Sequence, residues 1–218
     1  MDIAQTIALT MGVAWASGIN LYAAILMLGV MSATGNLALP PDLEILSDPM
    51  VIGAAAFMYF VEFFTDKVPG VDTGWDSIST FIRIPAGAVL AAGAIGDVGP
   101  AAQLAAAIAG GTLTAGTHAT KAGTRVMINT SPEPVSNWFA SVGEDVAVIL
   151  GLWTALAHPV LFIVLLALFI LFMIWALPKL WRAIKTAFGF LKRNLSDEPA
   201  DAAPDKLQSS SSATKPEP

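Results

Sequence analysis

Six stretches of mainly apolar residues alternate with short polar or proline-containing segments along the chain. We predict helices over residues 3–34, 49–65, 75–96, 100–120, 135–156 and 159–177. A transmembrane helix needs about 20 predominantly apolar residues to cross about 30 Å of hydrocarbon. Residues 159–177 meet this requirement without a charged side chain. The pattern predicts an all-α membrane protein, a bundle of about six transmembrane helices.

The first stretch is longer than one perpendicular span and is interrupted by Ser-Gly-Ile-Asn at residues 17–20. It is therefore either one tilted helix or a broken one. Asn20 and Tyr22 place polar groups beside the interruption, and discontinuous helices commonly build transporter sites. Alternatively, Gly18 only permits a close helix crossing. Three spans followed by three spans would form a 3+3 inverted repeat with a broken first helix.

Small side chains dominate the third and fourth stretches. Ala and Gly supply 19 of the 31 residues between 86 and 116. Small residues let helix backbones approach closely in a membrane. We therefore expect these two helices to form a tight hairpin in the bundle interior, followed by a polar loop at 121–137.

Charge is scarce and unevenly distributed. Only 13% of the residues are charged and 55% are hydrophobic, whereas soluble domains usually carry about a quarter charged residues. With six spans, the loops at 35–48, 97–99 and 157–158 contain none of the 11 Lys and Arg residues. Because Lys and Arg accumulate on the cytoplasmic side, we predict a bacterial inner-membrane protein with both termini in the cytoplasm.

The region after residue 177 divides into two parts, 178–195 and 196–218. Together with the transmembrane helical domain at 1–177, the sequence predicts three regions. Residues 178–195 predict a basic amphipathic juxtamembrane helix that binds anionic lipid headgroups. Residues 196–218 are rich in Ser, Pro and Ala and predict a disordered cytoplasmic tail. This tail holds five of the 17 acidic residues, so the net charge of −6 says little about the membrane domain.

Ionisable side chains within the apolar stretches are the candidates for chemistry, because they are costly in a membrane and usually face partners or a water-filled cavity. A carboxylate-lined site could bind a cation or relay protons. Alternatively, the same residues form structural ion pairs, Glu62 or Asp76 with Arg83, and Glu144 with Arg125 or Lys121. The candidate substrate- or ion-binding residues are Asn20, Tyr22, Glu62, Asp66, Asp76, Arg83, His118, Lys121, Arg125, Asn137, Glu144 and Asp145.

Other chemistries find little support. His118, Lys121 and Arg125 form a basic stripe that could hold a phosphate or carboxylate, or could be ordinary cytoplasmic anchoring. The chain has no cysteine, only two histidines and no HExxH motif, which argues against a zinc site. No GxSxG frame for a nucleophile is present. We expect no catalytic residue and no cofactor, and the sequence assigns no metal.

Four strings carry a resemblance to a known family: ASGINLYAA at 16–24, EFFTDKVPGVDTGWDSI at 62–78, IRIPAGA at 82–88 and KAGTRVMINTSPEPVSN at 121–137. Over about residues 1–175 the chain resembles a bacterial integral-membrane family of unknown function, of the domain of unknown function 4126 type. This resemblance implies no activity. Residues 62–67 are also similar to the Glu-x-Gly-Asp-Lys signature of small cation exchangers, but lack its glycine and hold the acids one position further apart.

Three functions are compatible with these observations. The first is a small transporter or channel-like protein for a small ion or polar solute, which uses the intramembrane carboxylates. The second is a non-transporting membrane scaffold or lipid-binding module with a basic cytoplasmic helix. The third, which we favour least, is an intramembrane enzyme acting on a lipid-linked substrate. The expected partners are the lipid bilayer and a small ion or solute, and not a nucleic acid.

Overall fold

The computed structural model describes residues 2–68, 70–129 and 134–196, with side chains through residue 186. Over these residues the chain is helical and contains no strand. The elements are α1 (Ile3–Ala33), a 3-10 helix (Pro41–Ser47), α2 (Pro49–Thr65), α3 (Val71–Ala94), α4 (Pro100–Asn129), α5 (Pro134–Ala157) and α6 (Pro159–Ser196). The all-α prediction is confirmed.

The outer surface of the helices is apolar, as a lipid-facing surface must be. Phe57 and Phe81 are 66% and 82% exposed, and Leu171 is 64% exposed. Four helices, α1, α3, α5 and α6, are long and apolar enough to cross a membrane. The 3-10 helix and α2 make a fifth if this pair, bent by 68°, is one broken span. The chain is therefore an all-α membrane bundle.

The predicted count of six spans depends on α4, which is long enough at 30 residues but is not among the candidate spans of the described chain. Its glycines, threonines, Gln103 and His118 lower its mean hydropathy below that of the other helices. The 3+3 inverted repeat stays a prediction.

Helix α1 lies at the centre of the bundle and contacts α2, α3, α4 and α5. In the most apolar 18-residue stretch of α1, 67% is buried inside the protein, whereas in that of α6 only 17% is buried. The core around it includes Leu9, Val13 and Leu28 of α1 with Val148 and Leu152 of α5. A charged side chain on a neighbouring helix that points toward α1 is therefore enclosed by protein rather than by lipid.

Of the two alternatives for α1, a tilted or a broken helix, the structure has the broken one, since the φ of −147° and ψ of 97° at Asn20 are not helical. The Asn20 side-chain oxygen accepts a hydrogen bond of 2.9 Å from the backbone N–H of Ala23. Asn is a favoured residue at a helix N-cap, so Asn20 starts the second half of α1. The carbonyls of Gly18 and Ile19 lose their helical partners at this break.

The tight hairpin predicted for α3 and α4 is also confirmed. Gly87 lies against Thr114, and Gly110 lies against Ala91, so closely that a Cβ atom at either glycine would overlap its neighbour. Gly96 and Gly99 both have positive φ in the connecting turn, a conformation that glycine adopts without steric cost.

Two predicted boundaries were wrong. Helix α3 begins at Val71 rather than Trp75, after Gly70 with a φ of 85°. Helix α4 continues to Asn129, where we expected a polar loop from Lys121. Lys121, Arg125 and Asn129 are spaced four apart and therefore share one face of the helix. Contacts of that face with α2, α3 and α5 stabilise this polar extension as helix.

The backbone of α6 continues through Pro178 to Ser196. The chain divides into two units between Ile184 and Lys185. In the first, the Lys179 ammonium lies 3.3 Å from the centroid of the Trp175 ring. The side chains of the predicted amphipathic helix after residue 186, and the predicted disordered tail from 197 onward, lie outside the described residues.

Candidate functional site

The break in α1 receives two cationic side chains from neighbouring helices. Arg83 of α3 donates from Nη1 to the Ile19 carbonyl at 2.6 Å and to the Gly18 carbonyl at 3.4 Å. Lys121 of α4 donates from Nζ to the same Ile19 carbonyl at 3.0 Å. Since a buried carbonyl needs a hydrogen-bond partner, these cations satisfy the broken backbone.

Lys121 is surrounded by carboxylates from three other helices. Its Nζ lies 3.3 Å from Glu62 on α2 and 3.0 Å from Asp66, the C-cap residue of that helix. The same nitrogen lies 3.7 Å from Asp76 of α3 and 3.4 Å from Glu144 of α5. The Lys121 residue is only 6% exposed, so these contacts form inside the protein.

Arg83 and Arg125 hold the two ends of this carboxylate group. Arg83 forms a short ion pair with Glu62, and both side chains are fully buried. Arg125 binds Glu144 through two parallel bonds, Nε to Oε1 at 3.1 Å and Nη2 to Oε2 at 2.7 Å. Planar guanidinium groups favour such bidentate pairs with carboxylates. The ion pairs predicted as the structural alternative are therefore present.

Arg125 also connects the site to a second polar group. Its Nη1 donates to the Asn137 side-chain oxygen at 3.2 Å and to the Asp66 carbonyl at 3.0 Å. Asn129 donates to Asp72 at 2.8 Å and accepts a bond of 3.2 Å from Asn137. Asp72 and Asn129 were missing from the predicted site. The four-residue spacing of Asn129 from Arg125 was the signal that could have found it.

Two of the acids form no hydrogen bond with a basic side chain and also keep carboxylate oxygens without any donor. Neither carboxylate oxygen of Asp76 accepts a hydrogen bond, and its nearest cations are Lys121 at 3.7 Å and Arg83 at 4.0 Å. Asp145 Oδ1 accepts a bond of 3.0 Å from the Asn20 amide, its Oδ2 accepts none, and the Tyr59 hydroxyl interacts with the same carboxylate. No described Lys or Arg forms an ion pair with Asp145.

Most of the chain matches one known family of sequences. The sequence model of the family described as a domain of unknown function, DUF4126, matches residues 7–179. The chain belongs to the DUF4126 family. No curated protein matches it, and no solved structure matches it. The predicted family resemblance is confirmed.

The remaining predicted residues of this DUF4126 chain lie at the edge of the site. His118 is buried, and its Nε2 lies 2.8 Å from the Thr80 hydroxyl and 3.0 Å from the Asp76 carbonyl. Tyr22 is partly buried against the core around α1, within electrostatic range of Glu62. All twelve predicted residues are therefore brought into one region of the bundle.

Lys67, which the prediction left out, belongs to the same region. It follows α2, and its Nζ donates to the Phe63 carbonyl at 2.9 Å and to the Ser141 hydroxyl at 3.3 Å. Burial lowers the pKa of its ammonium, against the opposing effects of the Asp145 and Asp66 charges.

We define the charge network of the DUF4126 chain as the ionisable side chains of this region. Its six acids are Glu62, Asp66, Asp72, Asp76, Glu144 and Asp145, and its four bases are Lys67, Arg83, Lys121 and Arg125. With His118 counted as neutral, 4 − 6 leaves a net charge of −2.

Most of the charge network is buried in protein, and among its members only Lys67 and Glu144 are partly exposed. Four cavities of about 410, 520, 210 and 320 Å³ lie elsewhere in the described bundle, and none is lined by a charged side chain of the network. Among the described residues, no group of three His, Asp or Glu side chains is arranged to hold a metal ion. Any ligand of this site must therefore be small enough to enter between the ion pairs.

Proposed function

We propose that the chain is a small membrane transporter or channel-like protein that carries a proton or another small cation on its buried carboxylates. The net charge of −2 in the charge network carries this proposal. Charged groups taken out of water without a partner are strongly unfavourable. A cation or proton bound at Asp76 and another at Asp145 would neutralise this excess negative charge.

The broken helix α1 supports the same function. Irregular backbone inside a membrane is tolerated where it is buried in protein or lines a cavity. Transporters commonly bind ions at such breaks, where unwound carbonyls take part in coordination. In this chain the Ile19 carbonyl accepts a hydrogen bond from Lys121 of the charge network, and the Asn20 amide donates one to Asp145.

The distribution of Lys and Arg supports an orientation with both termini in the cytoplasm of a bacterial inner membrane. In that orientation α2 and α4 end at the cytoplasmic side, and α3 and α5 begin there. The network acids of α2, its C-cap and α3 are near those ends, and Glu144 and Asp145 lie about halfway along α5. A cation would then enter the network from the cytoplasm.

Reconstitution into phosphatidylethanolamine and phosphatidylglycerol vesicles tests this function. Proton flux is followed with an enclosed pH-sensitive dye, and Na⁺ and Rb⁺ fluxes with radioactive tracers. We expect wild-type flux of at least one of these ions above that of protein-free vesicles. The double variant Asp76→Asn/Asp145→Asn should reduce it to the protein-free rate.

The exposed acids provide matched controls. Glu44 in the 3-10 helix and Asp97 in the α3–α4 turn are exposed, so Glu44→Gln/Asp97→Asn removes the same charge outside the network. This control should keep the wild-type flux. Flux that survives the network variant, or is lost equally in the control, contradicts the proposal.

The dense ion pairing of Glu62, Glu144 and the three buried bases favours a second function, a non-transporting membrane scaffold or lipid-binding module. In that case the charge network only joins α1 to α5, and partners or lipid bind elsewhere. The Lys179 ammonium over Trp175 suits such an interfacial role. A folded wild-type protein that moves none of the three cations would support this function instead.

A further inference from the structure

The ammonium of Lys121 occupies the centre of an oxygen cage. Five oxygen atoms from four helices lie around Nζ at 3.0 to 3.7 Å. They are the Ile19 carbonyl, Glu62 Oε1, Asp66 Oδ2, Asp76 Oδ1 and Glu144 Oε2. An ordinary salt bridge joins one ammonium to one carboxylate, so this arrangement resembles the oxygen shell of a bound cation instead.

The cage holds more acceptors than a lysine can satisfy. An ammonium donates only three hydrogen bonds, while five oxygens surround this one. In addition, Glu62 Oε2, Asp66 Oδ1 and both Asp76 oxygens accept no hydrogen bond. These three residues are only 0%, 3% and 1% exposed. Buried carboxylate oxygens without donors are unfavourable, and they remain available to another cation.

We infer that Lys121 acts as a tethered cation, whose ammonium occupies the position that a free monovalent cation would otherwise take. This inference deepens the proposed function, because the cage specifies the charge and the size of the transported ion. Its meaning for transport rests on that proposed function. The nearest four Nζ–oxygen distances are 3.0 to 3.4 Å. Bound Ca²⁺ and Mg²⁺ lie closer to oxygen, at about 2.3–2.6 Å and about 2.0–2.1 Å. The cage therefore fits a larger monovalent cation such as Rb⁺ or a small ammonium ion.

Truncation of the Lys121 side chain should open the cage to a free cation, whose binding can be measured. Lys121→Ala leaves six acids and three bases, so the net charge of the network becomes −3 and the ammonium position is open. A free cation of the right size should then bind where the wild type binds none.

Arg125→Ala is the matched control. Arg125 lies on the same face of α4, is also buried and carries the same charge. However, the oxygens around its guanidinium are divided among three nitrogen atoms, with Nε and Nη2 facing Glu144 and Nη1 facing Asp66 and Asn137, and do not surround a single atom. Its removal should open no site for a spherical monovalent cation.

The full-length protein is purified in detergent, and equilibrium binding of ⁸⁶Rb⁺ and of ¹⁴C-methylammonium is measured alongside Tm. We expect Lys121→Ala to have a lowered Tm that rises with Rb⁺ or methylammonium, and to retain the same ion saturably. The two probes separate an inorganic cation from an ammonium ion. Adding Glu62→Gln should remove the binding, and wild type and Arg125→Ala should show none.

Failure has equally clear forms. The inference is overturned if Lys121→Ala binds neither probe, or if Arg125→Ala binds them as well. Lys121→Met is prepared in parallel, and both variants are extracted in RbCl and in methylammonium chloride. If neither variant folds there, the free cation does not replace the lysine and the inference is also overturned.

The binding measurement needs no membrane, so the two proposals can fail separately. Saturable binding by Lys121→Ala without wild-type flux contradicts transport alone. Wild-type flux without binding by Lys121→Ala contradicts the tethered cation alone.

Discussion

The guanidinium of Arg83 fills the break of α1, where its Nη1 donates to the Ile19 carbonyl at 2.6 Å. The same guanidinium pairs through Nη2 with Glu62. One side chain of α3 thus joins the broken backbone of α1 to the carboxylates of α2. The break and the charge network are therefore one structural unit, and changes to either should affect both.

Arg83→Met tests this connection. After this substitution, Lys121 is the only cation left to the Glu62 carboxylate and the Ile19 carbonyl. Because a buried ion pair is broken, we expect stability to fall by about 3–5 kcal/mol. Unfolding of the detergent-solubilised protein measures the loss. Arg83→Lys keeps the charge and should lose less. Wild-type stability in Arg83→Met would contradict this account of the break.

Gly18→Ala tests the close approach of α1 and α4. A Cβ at Gly18 would lie 2.7 Å from the Thr114 carbonyl oxygen and 2.7 Å from Thr117 Cβ. Overpacking of this kind typically lowers stability by about 1–3 kcal/mol. The control is Gly53→Ala on α2, where a Cβ meets no atom within 4 Å and where alanine favours the helix. A neutral Gly18→Ala would mean that the two helices are not in contact here.

The bidentate pair of Arg125 and Glu144 lends itself to a double-mutant cycle. Arg125→Met, Glu144→Gln and the combined variant are unfolded under the same conditions. Residues that share an ion pair give interaction energies of about 0.5–3 kcal/mol, and a buried bidentate geometry favours the upper part of that range. Additive effects of the two substitutions would show that the pair does not stabilise the bundle.

Parts of this arrangement could be predicted from the sequence because their signals are local. The polar interruption at 17–20 marked the break in α1, and the Ala and Gly content of 86–116 marked the hairpin. Glu62 and Asp66 are four apart, so their shared face followed from helical geometry alone. The short turn at His158 likewise marked the start of α6.

The rest depends on contacts between residues far apart in the chain. Residues 121–129 have no apolar periodicity, so they read as a loop until their acidic partners on α2, α3 and α5 are known. Sequence reasoning paired single acids with single bases, whereas Lys121 contacts four carboxylates together. Only the tertiary structure distinguishes Asp76 and Asp145, which form no hydrogen bond with a base, from Glu62 and Glu144, which do.

In this account, Asp76 and Asp145 carry the uncompensated charge of the network. The most direct test is whether Tm rises or falls when each acid is neutralised. Tm of Asp76→Asn, Asp145→Asn, Glu62→Gln and Glu144→Gln is measured in one detergent at one pH. We predict that the two Asp variants raise Tm, because each removes a buried charge that forms no hydrogen bond with a base. The two Glu variants should lower Tm, because each breaks a hydrogen-bonded ion pair. Asp variants that lower Tm as much as the Glu variants do would contradict the account.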